Sequence, residues 1–173
     1  MWIYEKKLQF PVKIKNPNPR MASVIVSQLG GPDGELAASM RYLNQRFSMP
    51  DRKIAGILTD VGTEELAHLE MIGSILYQLT RNLSAEEIEK SPMAQYFTDH
   101  TTGVYPASAA GVPTDMKYIG VKGDVLADLN EDLAADAAII KEQPLREQSR
   151  KPLKYKDFSH LGKTLGNRYP AII

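Results

Sequence analysis

The stretch "LTDVGTEELAHLEMIGSILYQL", residues 58–79, decides the fold, because its apolar side chains recur every three or four positions. The same spacing begins near residue 51 and ends near residue 80. At about 100° per residue, such spacing places the apolar side chains on one face of an α-helix. The stretch therefore predicts one long helix, with acidic residues and a histidine in its middle.

Two of those polar residues share the apolar face. Glu65 and His68 fall within the apolar arc, Glu64 falls at its edge, and Glu70 falls on the opposite face, towards water. A buried carboxylate is costly unless a charge or hydrogen bonds compensate it, and a carboxylate and an imidazole one turn apart can converge on one cation. The spacing predicts a pair of metal ligands. The alternative is a solvated acidic face with one hydrogen-bonded histidine.

A second strongly periodic segment begins near Asp124. Asp136 lies beside its apolar stripe, Asp132 lies at the margin, and Glu131 faces outward. The stripe consists of Leu126, Leu129, Leu133 and Ile140. We therefore predict a helix that contributes one inward acid, Asp136.

Two shorter helical patterns, residues 20–29 and 33–47, flank the break "GGPDG" at residues 30–34. One kinked helix or two stacked helices would satisfy this pattern. Glu35 follows the break and shares a face with Tyr42. Tyr42 is either a hydrogen-bond donor to a liganding carboxylate or an ordinary core tyrosine.

The remaining segments lack this periodicity. Residues 1–19 form a proline-interrupted arm, Ser84 and Glu87 have the form of a capping box, and residues 98–123 form a long connection. From about residue 141 onward the chain is basic and rich in proline. We predict a helical domain over residues 1–140, including the arm, and an atypical tail over residues 141–173.

Composition limits the possible functions. The 173-residue chain has 43% hydrophobic residues, which suits a single domain with a real core. Lys plus Arg equals Asp plus Glu at 21 each, so the charge balance indicates no nucleic acid or membrane partner. No apolar run has the length of a signal peptide or of a membrane span, so we expect a cytoplasmic protein.

Cysteine is absent, so any metal must be bound by carboxylates and imidazoles. Four-helix carboxylate proteins place Glu residues and Glu-x-x-His pairs at the bundle centre, around two metals. Hard oxygen donors with one imidazole per metal favour manganese or iron.

Several segments, taken together, resemble the manganese catalase family. They are "MWIYEKKLQFPVKI", "QLGGPDGELAASMRYLNQRF", "LTDVGTEELAHLEMIGSILYQL", "AAGVP" and "GDVLADLNEDLAAD". The resemblance covers residues 1–138 and is closest to the family's spore-coat branch, the CotJC-type coat proteins. It implies an all-α, ferritin-like four-helix bundle with two manganese ions, iron being possible, that disproportionates hydrogen peroxide to water and dioxygen.

The resemblance also implies a ligand set. The first carboxylate ligand would be Glu35, the Glu-x-x-His pair would be Glu65 and His68, and the third glutamate falls on Asp136, which is one methylene shorter. In the family a fourth helix supplies a second histidine. Here the basic tail replaces that pattern, and its histidine, His160, stands in the unrelated context "DFSHLGKTLG".

These departures leave three functions open. The first is a manganese catalase in the spore coat. The second is a structural coat subunit that keeps the bundle without turnover, and the third is a ferritin-like iron or manganese binder. If only three core helices come from one chain, their apolar faces must be covered by the tail or by another subunit. We expect a homo-oligomer, with other coat proteins as possible partners.

Overall fold

The computed structural model describes residue 5, residues 7–97 and residues 108–141, with the backbone alone for residue 116 and residues 136–141. Five α-helices follow one another in this part of the chain: α1 Pro19–Gly30, α2 Glu35–Gln45, α3 Arg52–Thr80, α4 Ala85–Glu89 and α5 Val125–Lys141. Short 3₁₀ turns lie at Arg46–Ser48, Ala94–Tyr96 and Met116–Tyr118. The prediction of an all-α chain is confirmed, and α3 matches the predicted long helix.

The ends of the helices follow from local side chains. Asn18 accepts a hydrogen bond from the Met21 amide at 3.0 Å, and Pro19 occupies the first helical position of α1. Asp51 caps α3 by accepting from the Lys53 amide at 2.7 Å. The capping box predicted at Ser84 and Glu87 is present at the start of α4.

Residues 31–34 separate α1 from α2, so the structure has two helices here and not one kinked helix. The amide of Gly34 donates to the carbonyl oxygen of Gly31 at 2.9 Å, which makes the break compact. Glu35 is the first residue of α2, where the helix dipole favours a negative charge.

The core consists of two apolar clusters at different heights of the bundle. The first, here called the upper apolar cluster, joins the C-terminal half of α3 to α1 and includes Ala22, Val26, Ile72, Leu76 and Leu79. The second, here called the lower apolar cluster, joins the N-terminal half of α3 to α2 and α5 and includes Ala38, Tyr42, Ile54, Leu58 and Leu129. The middle of α3 lies between them, at the level of Glu65 and His68.

Helix α5 is rotated relative to the prediction. Leu126, assigned to the apolar stripe, is 53% exposed, whereas Asp128 and Asp132 are fully buried. The buried face is centred on Leu129, Asp132 and Ala135. The prediction that Asp132 is marginal is therefore wrong, because the apolar stripe is anchored on Leu129 and not on Leu126.

The arm before α1 lies along α3. The side-chain amide of Gln78 donates to the carbonyl oxygen of Val12 at 2.9 Å and accepts from the amide of Ile14 at 2.7 Å. Arg81 donates to the carbonyl oxygen of Ile14 at 2.6 Å. The arm is thus held by its backbone.

Of the helices described here, none combines the length and the hydropathy that crossing a membrane requires.

Candidate metal centre

Three side chains predicted as ligands meet inside the bundle. Glu35 from α2 and Glu65 and His68 from α3 each offer a ligand atom, and these atoms all lie within 4.8 Å of one another. Nδ1 of His68 lies 2.6 Å from Oε2 of Glu65 and 3.8 Å from Oε2 of Glu35. The three residues are 4 to 8% exposed, so the cluster is closed to bulk water.

The fold places the cluster at the seam between the two apolar clusters. Along α3, Glu65 and His68 lie between Leu58 and Ile72, which belong to different clusters. On the opposing helices α1 and α2, Glu35 lies between Val26 and Ala38. Apolar side chains therefore lie above and below the carboxylates and exclude water from both sides.

Helices α2 and α3 approach closely beside the cluster. The hydroxyl of Ser39 donates to the carbonyl oxygen of Gly62 at 2.7 Å. A Cβ atom at Gly62 would lie 2.9 Å from Cγ of Leu43 and 3.2 Å from Cβ of Tyr42. Because glycine stands there, α2 can come near enough for Glu35 to reach Glu65 and His68.

The pKa values of Glu65 and His68 are both raised, for different reasons. Burial raises the pKa of Glu65 to about 8, with the neighbouring Glu35 carboxylate adding to the rise and the contact with His68 opposing it. Burial alone would lower the pKa of His68, but the nearby Glu35 and Glu65 carboxylates, the latter in direct contact, outweigh it and raise that pKa to about 10. At neutral pH the metal-free cluster therefore retains protons.

The other predicted residues fall into two groups. Glu64 and Glu70 are exposed, and Glu64 accepts a hydrogen bond from Gln9 at 3.1 Å. Tyr42 is fully buried in the lower apolar cluster, and its bond to a ligand stays a prediction. The side chain of Asp136, on α5, and all of His160 lie outside the described residues, as does the tail from residue 142.

Sequence reasoning missed two buried residues, Asp128 and Arg41, and placed a third, Asp132, at the margin. Asp128 accepts hydrogen bonds from the amides of Lys122 and Gly123, at 2.8 and 3.1 Å, and so fixes the end of the connection before α5. Asp132 lies one turn further on the same buried face. Arg41 is 2% exposed, with Nη2 3.6 Å from Oδ1 of Asp33. The phase of Leu129 and Ala135 is the signal that would have found Asp128 and Asp132.

The donor set fits a manganese or iron site. Two carboxylates supply hard oxygen atoms and one imidazole supplies a nitrogen, the combination that these metals favour. Oε2 of Glu35 is buried and accepts no hydrogen bond from the described residues, and an uncompensated buried acceptor of this kind suits a cation. Binding a cation would release the protons that Glu65 and His68 retain.

Comparisons with known proteins identify the family of the chain. Residues 1–152 match the family described as manganese containing catalase. Protein CotJC of Bacillus subtilis is 50% identical over 136 residues, covering 79% of this chain and 71% of that protein. A probable manganese catalase of Clostridium acetobutylicum is 31% identical over 160 residues, covering 89% and 70%.

A solved structure extends the comparison to the fold. KatB, a manganese catalase from Anabaena, superposes with a TM-score of 0.76 at 27% identity, covering 99% of this chain and 78% of KatB. The ferritin-like helical bundle predicted from the sequence is thereby confirmed. With the family match over residues 1–152 and the agreement with CotJC, these findings establish that the chain belongs to the manganese catalase family.

Proposed function

We propose that this protein disproportionates hydrogen peroxide to water and dioxygen at a pair of manganese ions held by Glu35, Glu65 and His68, with Asp136 as a further carboxylate. The observation that carries the proposal is the buried cluster of two carboxylates and one imidazole with ligand atoms within 4.8 Å of one another, in a chain of this family.

The residues of the chain would act in three ways. Glu35, Glu65 and His68 hold the metal in fixed positions on two packed helices, the apolar clusters exclude water, and the Glu65–His68 contact holds a proton at Nδ1 of His68 in the metal-free protein. When bound, the metal pair supplies reversible redox chemistry for the oxidation of one peroxide molecule and the reduction of another. The shorter side chain of Asp136 and the altered context of His160 would weaken the binding of the metal pair.

We also propose that the protein is assembled into the spore coat as a homo-oligomer. The support is its similarity to CotJC and the resemblance of its motifs to the spore-coat branch. Other coat proteins would then be its partners. The division into a domain over residues 1–140 and a tail over residues 141–173 belongs to this proposal.

The alternative function is a structural coat subunit without turnover. The observations that favour it are the aspartate at position 136, where the resemblance expects a glutamate ligand, and the end of the family match at residue 152, before His160. Such a subunit would keep the bundle and its surfaces but would bind the metal pair weakly or not at all.

Metal analysis and a peroxide assay on the same purified protein separate these functions. Two manganese ions per chain with dioxygen release on an oxygen electrode support the catalase. Bound metal without dioxygen supports a ferritin-like binder of manganese or iron, and absence of bound metal supports the structural subunit.

Matched variants test the assignment of the site. Removing a side chain that hydrogen-bonds to a metal ligand weakens metal binding by up to about 100-fold. Removing a ligand itself should weaken manganese binding at least as much. Glu65→Ala and His68→Ala should show this loss, whereas Glu70→Ala, on the exposed face of the same helix, should bind manganese as the unmodified protein does. Equal loss in all three would contradict the assignment.

A further inference from the structure

Residues 108–114, here called the brace, form a turn that is closed upon itself and contains the motif "AAGVP". The amide of Ser108 donates to the carbonyl oxygen of Val112 at 2.8 Å, and the amide of Gly111 donates back to the carbonyl oxygen of Ser108 at 2.9 Å. Gly111 has a φ of +77°, which glycine adopts without strain. The brace is therefore a preformed unit and not a slack part of the connection.

The brace is attached to the last turn of α1. The amide of Ala109 donates to Oγ of Ser27 at 2.6 Å, and the hydroxyl of Thr114 donates to the carbonyl oxygen of Gly30. Carbonyl groups in the last turn of a helix lack partners within the helix. The brace thus supplies a hydrogen bond to the backbone at the point where α1 stops.

A buried tyrosine holds the brace from the other side. The hydroxyl of Tyr96 lies 2.9 Å from the carbonyl oxygen of Ser108 and 2.6 Å from that of Ala109, and its proton is shared between them. Tyr96 is 1% exposed and belongs to the upper apolar cluster. The brace is consequently tied both to the core and to the end of α1.

The break next to the brace has little freedom. A Cβ atom at Gly31 would lie 2.7 Å from the carbonyl oxygen of Ser27 and 3.3 Å from Cβ of Ser108, and one at Gly34 would lie 2.8 Å from the Ser27 oxygen. Glu35 follows directly as the first residue of α2. The end of α1 and the start of α2 are therefore packed closely enough for a shift at Gly30 to move the first turn of α2.

We propose that the brace is a positioning device for the metal centre: through Thr114 and Gly30 it fixes the first turn of α2, and so places the Glu35 carboxylate against Glu65 and His68. What Glu35 binds rests on the proposed function, whereas the restraint on α2 does not. Thr114 makes no hydrogen bond to Glu35, Glu65 or His68 and acts through the backbone. Ligand groups must be held to within about 0.5 Å of their working geometry.

The test compares Thr114→Val, which removes the hydroxyl at nearly constant shape, with Thr114→Ser, which keeps it. Thr80→Val is the matched control, because the Thr80 hydroxyl also donates to a helix carbonyl, that of Leu76 at 2.8 Å, at the far end of α3. Hydrogen exchange of the amides of residues 31–40 is measured in the metal-free protein, and manganese affinity is measured by titration of the same samples.

For Thr114→Val we expect amide exchange in residues 31–40 to be about fivefold faster, since one hydrogen bond is lost, and manganese to bind about tenfold more weakly. Thr114→Ser should restore both values, and Thr80→Val should change neither. If Thr114 had only a structural role, Thr114→Val and Thr80→Val would lower the melting temperature alike, and manganese affinity would not differ between them.

Each outcome decides the inference. Unchanged amide exchange in Thr114→Val would show that the brace does not restrain α2. Faster exchange with unchanged manganese affinity would show that the restraint does not place Glu35. If the unmodified protein binds no manganese, the proposed function fails, and the restraint on α2 is then decided by amide exchange alone.

Discussion

At the scale of single residues, the Glu65–His68 pair explains why a sequence would place acids and a histidine inside a helix of apolar side chains. The two groups lie 2.6 Å apart and are buried with Glu35. Their position was predictable, because the helical period alone puts Glu65 and His68 on the buried face and Glu70 outside. The close approach of α2 at Gly62 was not predictable, since it depends on tertiary packing.

The pKa shifts of this pair predict how the stability of the metal-free protein depends on pH. The unfolded chain releases protons from the carboxyl near pH 4.5 and from the imidazole near pH 6.5, but the folded protein retains them to about pH 8 and about pH 10. The folded state therefore binds more protons in this range, and its stability falls as pH rises. For His68 the stabilisation is full below pH 6.5 and is lost as pH rises through about 10.

Thermal unfolding in the presence of a chelator at pH 5.5 and pH 9 measures this effect. We expect the free energy of unfolding to drop by at least about 1.4 kcal/mol more in the unmodified protein than in the double variant Glu65→Gln/His68→Gln, which lacks both titrating groups. Identical pH dependence in the two proteins would show that the pair retains no extra protons.

At the scale of the helices, the apolar pattern predicts the buried face of α3 correctly and that of α5 incorrectly. Over the 29 residues of α3 the apolar residues fix one phase. In α5 the leucines occupy more than one face, so the pattern assigns Leu126 to the core although it is 53% exposed, and Asp132 to the margin although it is fully buried. Short amphipathic helices with buried acids do not reveal their phase from apolar residues alone.

Glycines in α3 provide a prediction about the packing of α2 on α3. A Cβ atom at Gly56 or Gly73 would meet no atom of the described residues within 4 Å, so Gly56→Ala and Gly73→Ala should each stabilise the protein by about 0.5 to 1 kcal/mol through helix propensity. Gly62→Ala should instead destabilise it by about 1 to 3 kcal/mol, because the new methyl group meets Leu43 and Tyr42.

Denaturant unfolding of the three variants measures these changes in the free energy of unfolding. The slope of the transition should stay constant, and only the midpoint should move. Stabilisation by Gly62→Ala as large as that by Gly56→Ala would mean that α2 does not lie close to α3 beside the metal centre.

At the scale of the whole molecule, the family and the bundle were predictable because several motifs occur in the expected order along the chain. The match extends to residue 152, beyond the 138 residues of the predicted resemblance. The roles proposed for Asp136 and His160 were not predictable in the same way, because aspartate stands where the resemblance expects glutamate and His160 lies beyond the matched residues.

The exposed apolar side chains predict association of the protein with itself. Phe47, Tyr77 and Leu126 are 78, 68 and 53% exposed on different elements, and contact with a second copy of the chain would remove such apolar surface from water. We expect light scattering coupled to size exclusion to give a mass that is a multiple of 19.3 kDa. A single subunit mass at every concentration would contradict the predicted homo-oligomer.

The backbone attachment of the arm has a consequence for how the sequence can change. Gln78 and Arg81 bind main-chain atoms of Val12 and Ile14, so these hydrogen bonds do not depend on the identity of the arm's side chains. The exposed residues of the arm can therefore be substituted without loss of these hydrogen bonds. The surface of the molecule can change there while α3 and its buried acids stay the same.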